Sequence, residues 1–249
     1  MNRIRRWMFP KTKESSANSA PQSLPEANKW DLSDYPADFN PATRSLPEAN
    51  KWILSEFILD KLVPVIGVHP YPLDELLLMC STVAYFRPDI IVEWGTHLGK
   101  SARIFYEVSM YLKLGVIIHS IDLPPDNEHA ENIHEASERA IFVRGLPVAL
   151  HLGDGLSVAR NVLAETRPGL PLFFVDGDHT FESVNNELNC IKEIASRAVV
   201  LVHDTFLQGS ESGYNCGPYE ALKKFINENC LPIQSTILGL PGMSLTYWL

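Results

Sequence analysis

The chain has 249 residues, 45% hydrophobic and 20% charged, a balance typical of a soluble globular protein with one sizeable core and an appendage. Its formal net charge of −9 argues against a general nucleic-acid binder, which needs a basic surface. No apolar stretch reaches about 18 residues, so we expect no membrane span. The four cysteines form no C-x-x-C pair and fit a reducing compartment, which predicts a cytoplasmic protein.

Residues 1–44 are rich in Ser, Pro, Asn and Ala, and this composition predicts a poorly ordered N-terminal segment. The octapeptide SLPEANKW occurs at 23–30 and again at 45–52. Two copies do not make a solenoid, which needs more stacked units, so a local duplication is the simplest account. Because the second copy runs into the apolar stretch 53–59, we expect it to begin a helix and residues 45–71 to form a helical extension. We assign no function to the first copy.

From residue 72 onward, helical and strand patterns alternate. The predicted elements are helix 73–86, strand 90–94, helix 99–112, strand 116–121, a helical stretch around 129–143, strand 147–151, helix 155–166, strand 171–175, helix 180–195, strand 198–202, helix 217–229, and two β-like runs at 233–238 and 243–248. This order favours a doubly wound, mostly parallel seven-stranded α/β sheet that ends in an antiparallel C-terminal hairpin. The five leading strands are apolar, which predicts that they are buried on both faces.

The most informative segment is 90–101, where an apolar strand ends in Glu93 and a glycine loop leads into a helix. A dinucleotide-binding loop needs G-x-G-x-x-G, whose second glycine lets a pyrophosphate approach the backbone. His97 stands at that position here, and the next glycine after Gly95 is Gly99. The loop therefore suits a nucleotide-like ligand without a pyrophosphate, of which S-adenosylmethionine is the commonest, and it disfavours a nicotinamide oxidoreductase.

Acidic residues stand at or next to the ends of the predicted parallel strands. They are Glu93, Asp122, Asp154, Asp176 and Asp204. Single acids at such positions often only cap helices. Because the carboxyl ends of parallel strands face one crevice, a set of them predicts a ligand site there.

Several positions in this region each suit a different part of an adenosyl ligand. Asp122 can accept both ribose hydroxyls, and Asp154 can accept the adenine amino group while Gly155 allows close approach of the backbone. Gly95 leaves room for the methionyl portion, and Ser101 opens a helix whose free N–H groups favour a carboxylate. The predicted cofactor-binding set is Glu93, Gly95, Thr96, Gly99, Ser101, Asp122, Asp154 and Gly155.

The segment 93–99 and the acid at Asp122 resemble the class I S-adenosylmethionine-dependent methyltransferases, and the terminal hairpin is also typical of them. The resemblance implies a methyltransferase domain over 72–249. Segments 174–184 (FVDGDHTFESV) and 202–205 (VHDT) resemble the small-molecule O-methyltransferases, closest to the macrocin-type sugar O-methyltransferases and the cephalosporin-hydroxylase-like proteins. This implies methyl transfer from S-adenosylmethionine to a small hydroxylated molecule, a sugar or a natural-product scaffold.

Metal-dependent relatives hold Mg²⁺ over carboxylates at the tips of the fourth and fifth strands, and the matching positions here are Asp176 and Asp204. The chain departs from the relatives beside Asp204, where they have an acid before it or an amide after it. Here His203 precedes it and Thr205 follows it. Imidazole is a poor magnesium ligand, which puts a full Mg²⁺ site in doubt. Asp178 or Thr205 offers a substitute oxygen, and manganese or iron would tolerate the histidine better.

His179 stands where catechol-type relatives carry a catalytic lysine, so we expect it to act as general base beside Asp176. The alternative is that His179 only caps the helix that begins at residue 180. His69 and Tyr71 are candidates for the acceptor side, and the glycine-rich loop 208–217 is a candidate lid.

Three hypotheses remain open at this point. The first is a methyltransferase with a small-molecule acceptor and no nucleic-acid partner, for which a homo-oligomer is a candidate oligomeric state. The second is a metal-dependent hydroxylase of the cephalosporin type, which would need oxygen. The third is a protein that binds S-adenosylmethionine without catalysis.

Overall fold

Within residues 49–124, 138–207 and 214–249, which a computed structural model describes, seven strands form one sheet. The strands are β1 (Ile90–Trp94), β2 (Ile117–Asp122), β3 (Val148–Leu152), β4 (Pro171–Val175), β5 (Ala198–His203), β6 (Ile233–Thr236) and β7 (Met243–Trp248). Their order across the sheet is β3-β2-β1-β4-β5-β7-β6. Strands β1 to β5 pair in parallel, whereas β7 is antiparallel to both β5 and β6. The predicted fold class is confirmed.

Helices cover both faces of the sheet. They are α1 (Lys51–Phe57), α2 (Val63–Ile66), α3 (Leu73–Phe86), α4 (Lys100–Tyr111), α5 (Gly155–Thr166), α6 (Phe181–Ile194) and α7 (Gly217–Asn229). A π-helical turn, Ile58–Leu62, joins α1 to α2, and a 3₁₀ turn, Ile141–Val143, precedes β3. Apart from the stretch around 129–143, the predicted bounds of the helices and strands lie within two residues of these. No helix of the described ranges combines the length and apolar character that a bilayer crossing requires.

The second octapeptide copy begins a helix, as predicted. The Asn50 side chain accepts a hydrogen bond from the Ile53 backbone N–H at 3.2 Å, which caps the start of α1. Leu54 and Phe57 of this helix are buried in the core. The residues that follow the second octapeptide copy therefore pack against the core of the domain.

The alternation of side chains along β4 divides the core between the two faces of the sheet. Leu172 and Phe174 pack on the face covered by α3 and α4, and Phe173 and Val175 pack on the face covered by α5, α6 and α7. Strands β1, β4 and β5 are buried throughout, as parallel strands covered on both sides are.

The prediction of full burial is wrong for β3, because β3 is the edge strand of the sheet. Leu150 and Leu152 are 52% and 57% exposed. An apolar run alone does not tell an edge strand from a central one. The order β3-β2-β1-β4-β5 nevertheless places a change of winding direction between β1 and β4, where open sheets of this kind form a ligand crevice.

Some predictions fall outside the described residues. These are the poorly ordered segment 1–44 with the first octapeptide copy, most of the helical stretch around 129–143, and the greater part of the candidate lid, 208–213. The described residues all belong to one compact unit, Ala37–Leu249.

Candidate functional site

A cavity of about 760 Å³ opens at the carboxyl ends of the parallel strands. Its wall runs from the loop after β1, past the tips of β2 and β3, to the start of α6. Among the residues that line it are Gly95, Asp122, Asp154, Asp176, His179 and Glu187. The structure thus brings together most of the acids at the strand tips, and the volume is that of a small-molecule site.

The loop after β1 needs glycine at Gly95. Its φ is +95°, and a Cβ there would collide with the backbone carbonyl of Asp176. Its N–H donates to the Ile121 carbonyl at 2.9 Å, which ties the loop to the tip of β2. Gly99, with φ +80°, begins α4 but lies outside the cavity wall, where a Cβ would press on Val143 at 3.0 Å.

Asp122 is held at the tip of β2 by backbone groups. Its Oδ1 accepts from the Leu123 N–H at 2.9 Å, and its Oδ2 accepts from the His97 N–H at 3.3 Å. The guanidinium of Arg139 lies 3.5 Å from Oδ2. Two fixed oxygens with spare lone pairs therefore face the cavity, as a ribose-binding carboxylate requires. The sequence reasoning missed Arg139.

Asp154 and Gly155 lie in the cavity wall, and each also has a local structural role. Asp154 caps α5, because its Oδ2 accepts the Ser157 N–H at 2.9 Å, and this hydrogen bonding lowers the pKa of the carboxyl. A Cβ at Gly155 would collide with the indole of Trp94, which stacks on Phe173. The glycine is thus required by packing, in addition to any role toward a ligand.

Glu93, Thr96 and Ser101 belong to the predicted cofactor set, but they lie behind the cavity wall and are buried. Ser120 Oγ donates to Glu93 Oε1 at 2.5 Å, and the Thr96 hydroxyl bonds Ser120 at 2.7 Å. Burial raises the pKa of Glu93 to about 8, although the hydroxyl of Ser120 opposes the shift. These hydrogen bonds hold the loop after β1 in place from the side that faces away from the cavity.

A network of side chains surrounds Asp176 at the tip of β4. Tyr71 donates from its hydroxyl to Asp176 Oδ2 at 2.6 Å, and His203 Nδ1 lies 2.9 Å from Oδ1. On its other side, His203 Nε2 lies 3.1 Å from Glu75 Oε2. Burial alone would raise the pKa of Asp176, but His203 and the hydrogen bonds from His179, His203 and Tyr71 hold it well below its usual range.

His203 is therefore a bridge between two carboxyl groups. Burial alone would lower the pKa of its imidazole, but Asp176 and Glu75 outweigh burial and raise it well above the usual value. In that state both ring nitrogens carry a proton and donate. Glu75 was not predicted, although it lies on the buried face of α3 and is only 1% exposed.

His179 lies in the cavity wall between two carboxylates. Its Nδ1 is 3.2 Å from Asp204 Oδ2, and its Nε2 is 3.6 Å from Asp176 Oδ1. Hydrogen bonding to Asp176 raises the pKa of His179 by more than burial lowers it. The side chain that caps α6 is Thr180, which accepts the Ser183 N–H at 3.2 Å, so the alternative that His179 caps this helix is wrong.

Asp204 follows β5 in a left-handed conformation, with φ +57°. The hydroxyl of Tyr214 donates to Asp204 Oδ1 at 2.9 Å. Only the end of the candidate lid is described, and this tyrosine ties it to the tip of β5. His69 is exposed and outside the cavity wall, and its carbonyl accepts from Lys100 Nζ at 2.6 Å.

Asp176, His203 and Asp204 each place one candidate ligand atom within 4.8 Å of the others, as a metal site would. Both ring nitrogens of His203, however, face carboxylate oxygens, so neither directs a lone pair at an ion. The substitute oxygens are also engaged, since Asp178 bonds the N-cap of α6 and Thr205 bonds a hydroxyl of β7. The donor set as arranged fits a protonated histidine between carboxylates, and it does not fit Mg²⁺.

A seven-stranded sheet in this order, with a glycine loop after β1 and an acid at the tip of β2, defines the methyltransferase fold. Among solved structures, the chain is similar to the SAH-bound methyltransferase PaMTH1 of Podospora anserina, with TM-score 0.51, 18% identity, and coverage of 82% of this chain and 89% of that one. It is also similar to the TDP-rhamnose 3′-O-methyltransferase CalS11, with TM-score 0.50, 17% identity, and coverage of 78% and 86%. At such identities the similarity shows the fold alone.

The chain belongs to the rhamnosyl O-methyltransferase/CmcI family, which it matches over residues 65–232. It is 23% identical over 145 residues to a rhamnosyl O-methyltransferase of Mycobacterium leprae (strain TN), covering 57% of this chain. The match spans only 60% of the length of that curated relative. The predicted resemblance to the sugar O-methyltransferases is confirmed.

Proposed function

We propose that this protein transfers a methyl group from S-adenosylmethionine to a hydroxyl of a small molecule, with a sugar or sugar-bearing natural product as the acceptor. The observation that carries the proposal is that one cavity is lined both by a group suited to the cofactor and by a group suited to the acceptor. A fixed ribose-type carboxylate, Asp122, lies on one side, and a histidine between two carboxylates, His179, lies on the other. Membership of the rhamnosyl O-methyltransferase/CmcI family supports the sugar acceptor.

The cofactor half of the cavity suits an adenosyl group. Asp122 has spare acceptor sites for the ribose hydroxyls, and Asp154 keeps Oδ1 for the adenine amino group. Gly95 lines the cavity without a side chain, which leaves room for the methionyl portion of the ligand. When bound, S-adenosylmethionine supplies the methyl group, and its sulfur takes the bonding electron pair.

The acceptor half provides the base. With Nδ1–H donated to Asp204, the neutral imidazole of His179 keeps its Nε2 lone pair for the proton of the acceptor hydroxyl. The acceptor oxygen forms the new bond to the methyl carbon as that proton moves to Nε2. Asp176 then lies close enough to stabilise the imidazolium. Tyr71 and His203 hold Asp176 in place.

Two assays test the proposal. Calorimetric titration with S-adenosylhomocysteine tests the cofactor half, and transfer of labelled methyl groups to a panel of free and nucleotide-linked sugars, rhamnose derivatives first, tests the acceptor half. We expect binding in the first assay and at least one labelled sugar in the second. Failure to bind S-adenosylhomocysteine would refute the whole proposal.

The other two hypotheses predict different results. A cephalosporin-type hydroxylase would lose activity without oxygen and would need a metal, whereas both nitrogens of His203 are engaged by carboxyl groups. A binding protein without catalysis would bind the nucleoside and keep its biological effect after His179→Ala. The free thiols of all four cysteines support a reducing compartment, and we expect the cytoplasm. Domain bounds of 72–249 and a homo-oligomeric state stay predictions.

A further inference from the structure

Glu187 is a buried carboxyl that nothing in the proposed chemistry uses. It lies on α6, is 7% exposed, and makes no hydrogen bond or ion pair with the described residues. A buried polar group without a partner is costly, so such groups call for a partner that binds from outside the chain. The position of Glu187 shows where that partner would lie.

The carboxyl of Glu187 borders the same cavity as the adenosyl half-site. It lies beside the tip of β4, where Gly177 has no side chain to cover it, and a Cβ there would be only 3.7 Å from Glu187 Oε1. Ser183, one turn before Glu187 on α6, also lines the cavity, and so does Asn186. The wall of the cavity on this side is therefore a polar surface.

The protonation state of Glu187 decides what it can bind. Burial, with the charges of Asp178 and Asp176 beyond it, raises the pKa of Glu187 to about 8, although His179 opposes the shift. Cys190, three residues further along α6, also interacts electrostatically with Glu187. At pH 7 the carboxyl is mostly neutral, with one O–H donor and one carbonyl acceptor side by side.

We propose that Glu187 hydrogen-bonds the purine base of the adenosyl ligand, with Ser183 and Asn186 beside it. The inference rests on the proposed function. Asp122 fixes the ribose end of the same cavity, and Gly155 at the start of α5 also lines it. The 6-amino group of a purine carries two N–H donors, so one can go to Asp154 and the other to Glu187, while the O–H of the neutral Glu187 carboxyl donates to the neighbouring ring nitrogen.

The test uses 5′-methylthioadenosine, which carries the base and ribose but no group that titrates between pH 6 and 10. Calorimetric titration of the full chain at pH 7 and at pH 9.5 compares wild type with Glu187→Leu and Glu187→Gln. Glu182→Gln, an exposed residue of the same helix, is the matched control. Parallel titrations with S-adenosylhomocysteine at pH 7 report on the proposed function itself.

We expect Glu187→Leu to weaken binding of 5′-methylthioadenosine at pH 7 by about tenfold or more, the loss of a good hydrogen bond. Glu187→Gln keeps a donor and an acceptor, so its affinity should stay within about threefold of wild type. Wild-type affinity should fall roughly tenfold between pH 7 and 9.5 as the carboxyl loses its proton, and Glu187→Gln should lose most of this dependence. The Glu182→Gln control should match wild type throughout.

Two outcomes separate the inference from the proposed function. If wild type binds S-adenosylhomocysteine but Glu187→Leu binds both probes as wild type does, the base contact is wrong and the proposed function stands. If wild type binds neither probe, the proposed function fails and the inference fails with it. Should Glu187→Leu not fold, a pH dependence in Glu187→Gln equal to that of wild type would overturn the inference.

Discussion

Asp122 gives the sharpest test of the cofactor half-site. Its two oxygens accept from the Leu123 and His97 backbone N–H groups, which leaves lone pairs for two ribose hydroxyls. A hydrogen bond to a charged group contributes about 1.5–3 kcal/mol, so two of them set an upper limit near 6 kcal/mol. Water partly replaces the lost acceptor. We therefore expect Asp122→Ala to cost about 3 kcal/mol, a loss of affinity for S-adenosylhomocysteine of roughly 100-fold.

The assay is calorimetric titration, with Asp89→Ala as the matched control. Asp89 also accepts a backbone hydrogen bond, from the Leu170 N–H at 2.9 Å, but it lies just before β1, at the amino end of the parallel strands and away from the cavity. Each variant loses a carboxylate that accepts a backbone N–H, and only Asp122→Ala should lose affinity. An analogue of S-adenosylhomocysteine without the 2′-hydroxyl should bind wild type more weakly and the Asp122→Ala variant almost unchanged. A change of less than threefold in Asp122→Ala would refute the ribose assignment.

Three further predictions concern the catalytic half and the buried acids. His179→Gln should lower the methyl-transfer rate by about 10²–10⁴-fold while S-adenosylhomocysteine affinity stays within about threefold, as measured by single-turnover kinetics and calorimetry. Treatment with a chelator should leave the transfer rate unchanged, because both nitrogens of His203 bond carboxyl groups, and added Mg²⁺ should not raise it. Burial raises the pKa of Glu93 from 4.5 to about 8, so the folded state holds this proton more tightly than the unfolded state. The free energy of unfolding should therefore fall between pH 5 and 8, by a few kcal/mol from this group, and Glu93→Gln should flatten that slope in denaturant titrations.

Each of these predictions has an outcome that contradicts it. A His179→Gln variant with the wild-type rate would remove the histidine from the chemistry. A chelator that abolishes transfer, with recovery on addition of Mg²⁺, would show that a metal displaces His203 from its carboxyl partners. An unfolding free energy with the same pH slope in Glu93→Gln and wild type would mean that Glu93 is ionised in the folded state.

The meeting of the strand-tip acids could be predicted from the sequence because it follows from topology alone. The carboxyl ends of parallel strands lie on the same side of the sheet. Once the alternation of helices and strands predicts such a sheet, Asp122, Asp154 and Asp176 are expected around one crevice. The edge position of β3 could not be predicted, because β3 carries leucines at 150 and 152 and is as apolar as a central strand. Burial depends on neighbours in space, which a strand's own residues do not specify.

The partners of these acids were harder to predict, since they depend on how helices pack over the strand tips. Glu75 and His203 are separated by 128 residues along the chain, and only the packing of α3 across the end of β5 brings them together. Glu75 and Glu187 share a signal that was present in the sequence. Each occupies a position where the helical period expects an apolar residue, one turn before Met79 in one case and one turn before Ile191 in the other.

The histidine at position 203 explains why Glu75 can be buried. A carboxylate at position 203 would make three neighbouring acids with Glu75 and Asp176, and their repulsion would require a cation between them. His203 supplies a positive charge on the protein itself, 2.9 Å from one carboxyl and 3.1 Å from the other. His203 and Glu75 on α3 therefore act as a coupled pair. The same contacts orient Asp176, and through it His179, which lies 3.6 Å from Asp176 Oδ1.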